Sequence, residues 1–147
     1  MEREKRLKKI QKIGYGLGDI GSNFSWTFIS SFIMLYCTNI IKIDPAIIGS
    51  LFMLAKIFDG ISDIIMGRII DKTNSKMGKA KIWYLISIFP TVIFTYLLFN
   101  VGDNFSQNEK YAYVFLIYSL LGTVFYTMNN ISYSAMTALC TKNKEDR

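Results

Sequence analysis

Residues 54–67 read LAKIFDGISDIIMG, with Lys56, Asp59 and Asp63 embedded among Ile, Leu, Phe and Met. This run is part of a longer apolar block over 46–70. Blocks of the same character cover 15–41, 82–101 and 111–139. Each is long enough to cross a hydrocarbon core, which takes ~20 helical residues. A soluble domain would disperse its apolar residues at helix or strand periods, whereas here they are gathered and the charges fall largely in the gaps. The expected fold is an all-α integral membrane protein with four transmembrane helices. The composition agrees, with 51% of the 147 residues hydrophobic, 15% aromatic, and a mean hydropathy of +0.27.

The placement of charge says more than the net +6. Of the 17 Lys and Arg, six lie in residues 1–13 and five in residues 68–81, and Lys142, Lys144 and Arg147 follow the last block. The other two gaps hold only Lys42 and Lys110, beside Asp44, Asp103 and Glu109. Basic segments stay on the cytoplasmic side, so both termini and the 71–81 loop are expected inside the cell membrane. Topology accounts for the basic start without a nucleic-acid partner. Residues 14–26 are too polar and glycine-rich for a signal-peptide core. The absence of His and the wide separation of Cys37 and Cys140 argue against a zinc or redox centre, and both cysteines read as unpaired small hydrophobes. With no nucleophile–base set or phosphate loop, no enzyme and no cofactor are expected.

Gly16, Gly18 and Gly21 match G-x-G-x-x-G, but that fingerprint needs a preceding strand, and a basic run precedes it here. Together with Gly14 they read as sites of close helix approach. Asp44-Pro45 predicts a tight turn with Pro in the first turn of the second helix. Pro90 sits midway along the third span, where neighbours must satisfy the freed carbonyl.

A charge at the bilayer centre costs about 2.5–3.5 kcal/mol on insertion scales. At ~100° per residue, Lys56, Asp59 and Asp63 fall within about 60° of one another, a single stripe that must face protein or water. One reading is a structural Lys56–Asp59 ion pair. The other is a site where two carboxylates one turn apart bind a monovalent cation or a proton, as a cation-coupled transporter requires. The inner half of the fourth block carries Tyr126, Thr127, Asn129, Asn130, Ser132 and Ser134. Amides beside an aromatic ring suit a sugar, and they equally suit hydrogen bonds between helices.

The stretches KIGYGLGDIGSNFSW at 12–26, LFMLAKIFDGISDIIMGRIIDKTNSKMGKAK at 51–81 and YTMNNISYS at 126–134 resemble the glycoside–pentoside–hexuronide:cation symporters of the major facilitator superfamily. The resemblance covers almost the whole chain in order. It implies that the four helices correspond to the first four of a twelve-helix fold, part of an N-terminal six-helix bundle. It further implies sugar:cation symport driven by Na⁺ or H⁺, with Li⁺ also possible. By this resemblance Asp59, Asp63 and Thr127 bind the cation, as a monovalent metal site if sodium-coupled, and Lys56 is their charge partner. Asn23, Tyr126 and Asn130 meet the sugar, and Asp71 and Lys79 belong to a cytoplasmic gating loop. Lys56 stands where Arg is usual, Ser62 where Asn is common, and Ile64 and Ser132 where the family has prolines.

Four helices are about a third of such a transporter, and a pocket between two bundles cannot be built from part of one. The chain is therefore expected to be an N-terminal portion, inactive without helices 5–12. Two other readings stand beside this one: a small four-helix proton-coupled exporter working as an oligomer, and a non-transporting scaffold or pseudogene product.

Overall fold

The computed structural model describes residues 9–102 and 104–140, with side chains over 13–137 except at 103. The basic residues at 1–8, Asp103, Lys142, Lys144, Arg147 and the side chain of Cys140 lie outside the described residues. Helix α1 (Lys9–Leu35) passes without a break into a wider π-helical turn, Tyr36–Ile40. Helix α2 spans Pro45–Lys72 and α3 spans Lys81–Leu98. Helix α4 (Gln107–Ser119) continues through a π-helical segment, Leu120–Tyr126, into α5 (Thr127–Cys140). No strand occurs among the described residues.

The turns follow from local chemistry. Lys42 takes a left-handed backbone (φ 61°), and the Ile43 N–H closes back on the Cys37 carbonyl at 3.0 Å. Asp44 then caps α2 by accepting from the Ala46 N–H at 2.7 Å, with Pro45 in the first turn. The 73–80 loop is held by the Trp83 indole N–H donating to the Thr73 hydroxyl at 2.8 Å, and it turns at Gly78 (φ 105°). Helix α3 runs through Pro90, and the Thr91 hydroxyl bonds back to the Ser87 carbonyl at 2.7 Å.

At the start of α4 the Ser106 N–H and hydroxyl both donate to the exposed Glu109 carboxylate, each at 2.7 Å. These bonds hold the Glu109 acid below its ordinary 4.5. A depressed acid contributes stability above its unfolded value and loses it as pH falls through the folded one. Acidification below about 4.5 should therefore loosen the first turn of α4, and Glu109→Gln should remove that pH dependence. Amide exchange at residues 107–110 across pH 3–6 is the check, the range bracketing ordinary carboxyl values (~4).

Two apolar clusters hold the helices together. Near the Asp44 turn, Ile29, Ile33, Cys37, Ile48, Leu98 and Val114 interlock. Near the 73–80 loop, Met66, Ile70, Ala80 and Met128 pack with Trp83 and Phe125. Cys37 is buried and, among the described residues, unpaired. Helix α1 is the least embraced. Its stripe of Leu17, Phe24, Phe28 and Leu35 points outward, as do Met53 and Phe89, an arrangement that suits a hydrocarbon surround. Helices α3 and the 107–137 stretch are long and apolar enough to cross a membrane. Helices α1 and α2, with 27 and 28 residues, exceed the required length and carry the polar faces.

Close approach explains one of the four glycines of α1. A Cβ on Gly18 would stand 3.2 Å from the Tyr84 hydroxyl and 3.6 Å from the Tyr133 ring. Gly14, Gly16 and Gly21 meet nothing within 4 Å among the described residues. Gly21 instead borders, with Gly18, the cavity between α1 and α3.

Candidate functional site

The charged stripe of α2 does not stand alone. The Lys56 ammonium lies 2.9 Å from Asp59 Oδ2, so the expected intrahelical ion pair forms. The Asp59 side chain is 21% exposed and that of Lys56 58%, which leaves the pair open to water on one side. The other oxygen, Oδ1, accepts the Thr123 hydroxyl at 2.8 Å. Asp63, one turn further, is exposed, and no hydrogen bond reaches its carboxylate among the described residues.

An aromatic wall adjoins this stripe. Trp26 of α1 stacks on Tyr126, with ring centroids 4.1 Å apart and planes 20° from parallel. The Lys56 ammonium sits 5.1 Å from the Trp26 ring centre, within range of cation–π attraction. Gly122 lies at the point of convergence. A Cβ there would lie 3.5 Å from Trp26 Cη2 and 3.6 Å from Asp59 Oδ1. Gly122, Thr123 and Tyr126 all belong to the π segment. Its i→i+5 bonding widens the turn and reorients side chains relative to a straight α-helix, and such segments recur at functional sites.

The expected site residues separate into groups. Lys56, Asp59 and Tyr126 come together. Thr127 is buried, and its hydroxyl turns back to the Gly122 carbonyl at 3.3 Å, so the threonine hydroxyl on Asp59 is that of Thr123. Asn23 is exposed, and its amide donates to Asp19 Oδ1 at 2.9 Å and to the Asp19 carbonyl at 3.0 Å. Asn130 is exposed, but its neighbour Asn129 is buried and donates to the Ser87 hydroxyl at 3.0 Å. Adjacent helical residues diverge by ~100°, so these two asparagines serve different surroundings, and Asn129 takes the interhelical role. A cavity of about 300 Å³ opens between α1, α3 and the π segment, lined in part by Ser22, Trp26, Tyr84, Tyr126 and Asn129. The Trp26–Tyr126 stack is the wall it shares with the charged stripe. In the loop, the Lys79 ammonium reaches the Asp71 carbonyl at 3.4 Å.

Sequence reasoning missed Thr123, Trp26 and Asp19. A signal for Thr123 exists, since it lies one turn before Thr127. Trp26 follows Asn23 at i+3, on the same side of α1.

A family model described as MFS/sugar transport protein matches residues 14–147. The chain belongs to this family. It is a family of transporters, not of enzymes, and its membership makes the chain a multi-pass membrane protein. Among curated proteins, this family member is 31% identical over 99% of its length to the uncharacterized symporter YnaJ of Bacillus subtilis (strain 168). It is 35% identical over 93% of its length to the inner membrane symporter YicJ of Escherichia coli (strain K12). It is 31% identical over 92% of its length to the glucuronide carrier protein homolog of the same strain. The matched segments make up 31%, 29% and 29% of those relatives, respectively, so the chain spans about a third of their length.

Proposed function

We propose that this chain supplies the cation site and one wall of the sugar site of a sugar:cation symporter in the cytoplasmic membrane. The observation that carries the reading is the carboxylate–ammonium stripe of α2 set against the stacked Trp26 and Tyr126. A partly hydrated acid pair within a span is what a monovalent cation or a proton needs. An aromatic face beside amides is what a sugar's C–H face and hydroxyl groups need. Asp59 and Asp63 hold Na⁺, H⁺ or Li⁺, and Thr127 fixes the turn that brings Gly122 beside Asp59. Asn23, Tyr126 and Asn130 meet the sugar. The basic segments support a cytoplasmic position for both ends of the chain and the 71–81 loop, where Asp71 and Lys79 steady that loop.

A binding site between two bundles needs helices beyond those described, and the relatives' greater length supports the view that helices 5–12 complete it. The test is uptake of a radiolabelled glucuronide and of a panel of pentosides and glycosides into liposomes carrying the full-length protein. Uptake driven by an inward Na⁺, Li⁺ or H⁺ gradient is the expected result. Cation efflux by an oligomer of the 147-residue chain alone would instead support the small exporter. No transport of any kind would support the scaffold.

A further inference from the structure

Thr123 is pinned to α2 at two points. Its hydroxyl donates to Asp59 Oδ1 at 2.8 Å, and its carbonyl accepts the Ser62 hydroxyl. Asp59 and Ser62 are spaced i, i+3 and so share one face of α2. The clasp therefore crosses between helices that are 61 and 64 residues apart in sequence. It is set within the π segment Leu120–Tyr126, whose widened turn brings the Thr123 side chain and carbonyl together onto α2 while Thr127 turns to its own helix.

With Lys56 on Oδ2 and Thr123 on Oδ1, both oxygens of Asp59 are directed. A hydroxyl one hydrogen bond from Oδ1 also presents a neutral oxygen beside any cation that settles there, the ligand type hard cations prefer. We propose that Thr123 is the residue that positions Asp59 for the coupling cation and sets the preference among small monovalent cations. This rests on the symport reading above, and it assigns to Thr123 the hydroxyl that the resemblance placed at Thr127.

The experiment titrates sugar uptake by the full-length protein in liposomes with NaCl and, separately, LiCl. It compares the wild type with Thr123→Val, Thr123→Ser and Asp59→Asn. Loss of one hydrogen bond to a charged group predicts a roughly ten-fold rise in the half-saturating Na⁺ concentration for Thr123→Val. The Na⁺/Li⁺ ratio should shift as well, with sugar affinity at saturating cation retained. Thr123→Ser should restore Na⁺ dependence to within about two-fold, because it keeps the hydroxyl. If Thr123→Val expresses poorly, Thr123→Ala reads the same loss without the branched side chain. Unchanged half-saturation and ratio in Thr123→Val or Thr123→Ala, with Asp59→Asn still defective, overturns the role of Thr123 and leaves the symport reading intact. Failure of Thr123→Ser to restore the response also overturns it. A wild-type protein indifferent to every cation overturns the symport reading and this inference together.

Discussion

Asp59→Asn is expected to abolish cation-driven uptake, with the half-saturating cation concentration rising about 100-fold or beyond measurement. The amide keeps the shape of the side chain and can still accept from Thr123, but it has no charge to offer a cation. Removing a charge costs about 2–5 kcal/mol in a buried pair; Asp59, with 21% of its side chain exposed, falls toward the lower end, and each 1.4 kcal/mol is roughly ten-fold in affinity. The substitution also leaves the Lys56 ammonium, now 2.9 Å from its partner, without a counter-charge inside a span. Lys56 is more than half exposed, so that cost is about 1–2 kcal/mol, below the ~3–5 of a fully buried pair. Adding Lys56→Gln to Asp59→Asn should therefore recover thermal stability while leaving the cation response absent. Cation titration of uptake, alongside thermal unfolding in nanodiscs, separates the two effects. Retention of a normal Na⁺ or H⁺ dependence in Asp59→Asn would remove Asp59 from the coupling site.

The second large effect concerns α1. Its first half is fastened to the bundle by a reciprocal clasp: the Tyr15 hydroxyl donates to the Tyr133 carbonyl at 2.8 Å, and the Tyr133 hydroxyl donates to the Tyr15 carbonyl at 2.6 Å. The two rings stack at 4.2 Å, Tyr15 also bonds the Thr137 hydroxyl, and Tyr84 leans on Tyr133 at 5.7 Å. Tyr133→Ala removes a half-buried ring, a stack and a hydrogen bond, for about 3 kcal/mol in all. Tyr133→Phe keeps the ring and should lose only about 1 kcal/mol. The expected readout is faster amide exchange across residues 13–24, strong in Tyr133→Ala and slight in Tyr133→Phe, with α3 unaffected. Equal exchange in all three proteins would mean that α1 is held elsewhere.

Much of this was legible in sequence because it is local. Helix initiation at Asp44-Pro45 depends on a side chain two residues from the N–H it caps. The Lys56–Asp59 pair and the shared face with Asp63 follow from helical spacing alone. Length and apolarity of each block set where helices run, and the match of residues 14–147 to the transporter family accords with motifs that could be quoted from the chain. The site was legible only in part. Asn129 and Asn130 look equivalent on paper, yet one is buried against Ser87 and the other exposed. Gly14, Gly16 and Gly21 look like contact positions, yet of the α1 glycines Gly18 alone approaches another helix among the described residues.

By itself the sequence determined that one face of the second helix carries a cation and two acids, and that this face cannot lie in lipid. Only the tertiary structure decided which groups meet it. Straight α-helical counting through residues 119–127 gives no reason to choose Thr123 over Thr127. The π segment changes the register there, and that register is tied to contacts with α2, 61 and 64 residues away, and to the stack on Trp26 of α1. Helical periodicity is a property of neighbouring residues and is written in order along the chain. The partner of Asp59 is a property of how two helices pack, and no run of adjacent residues encodes it.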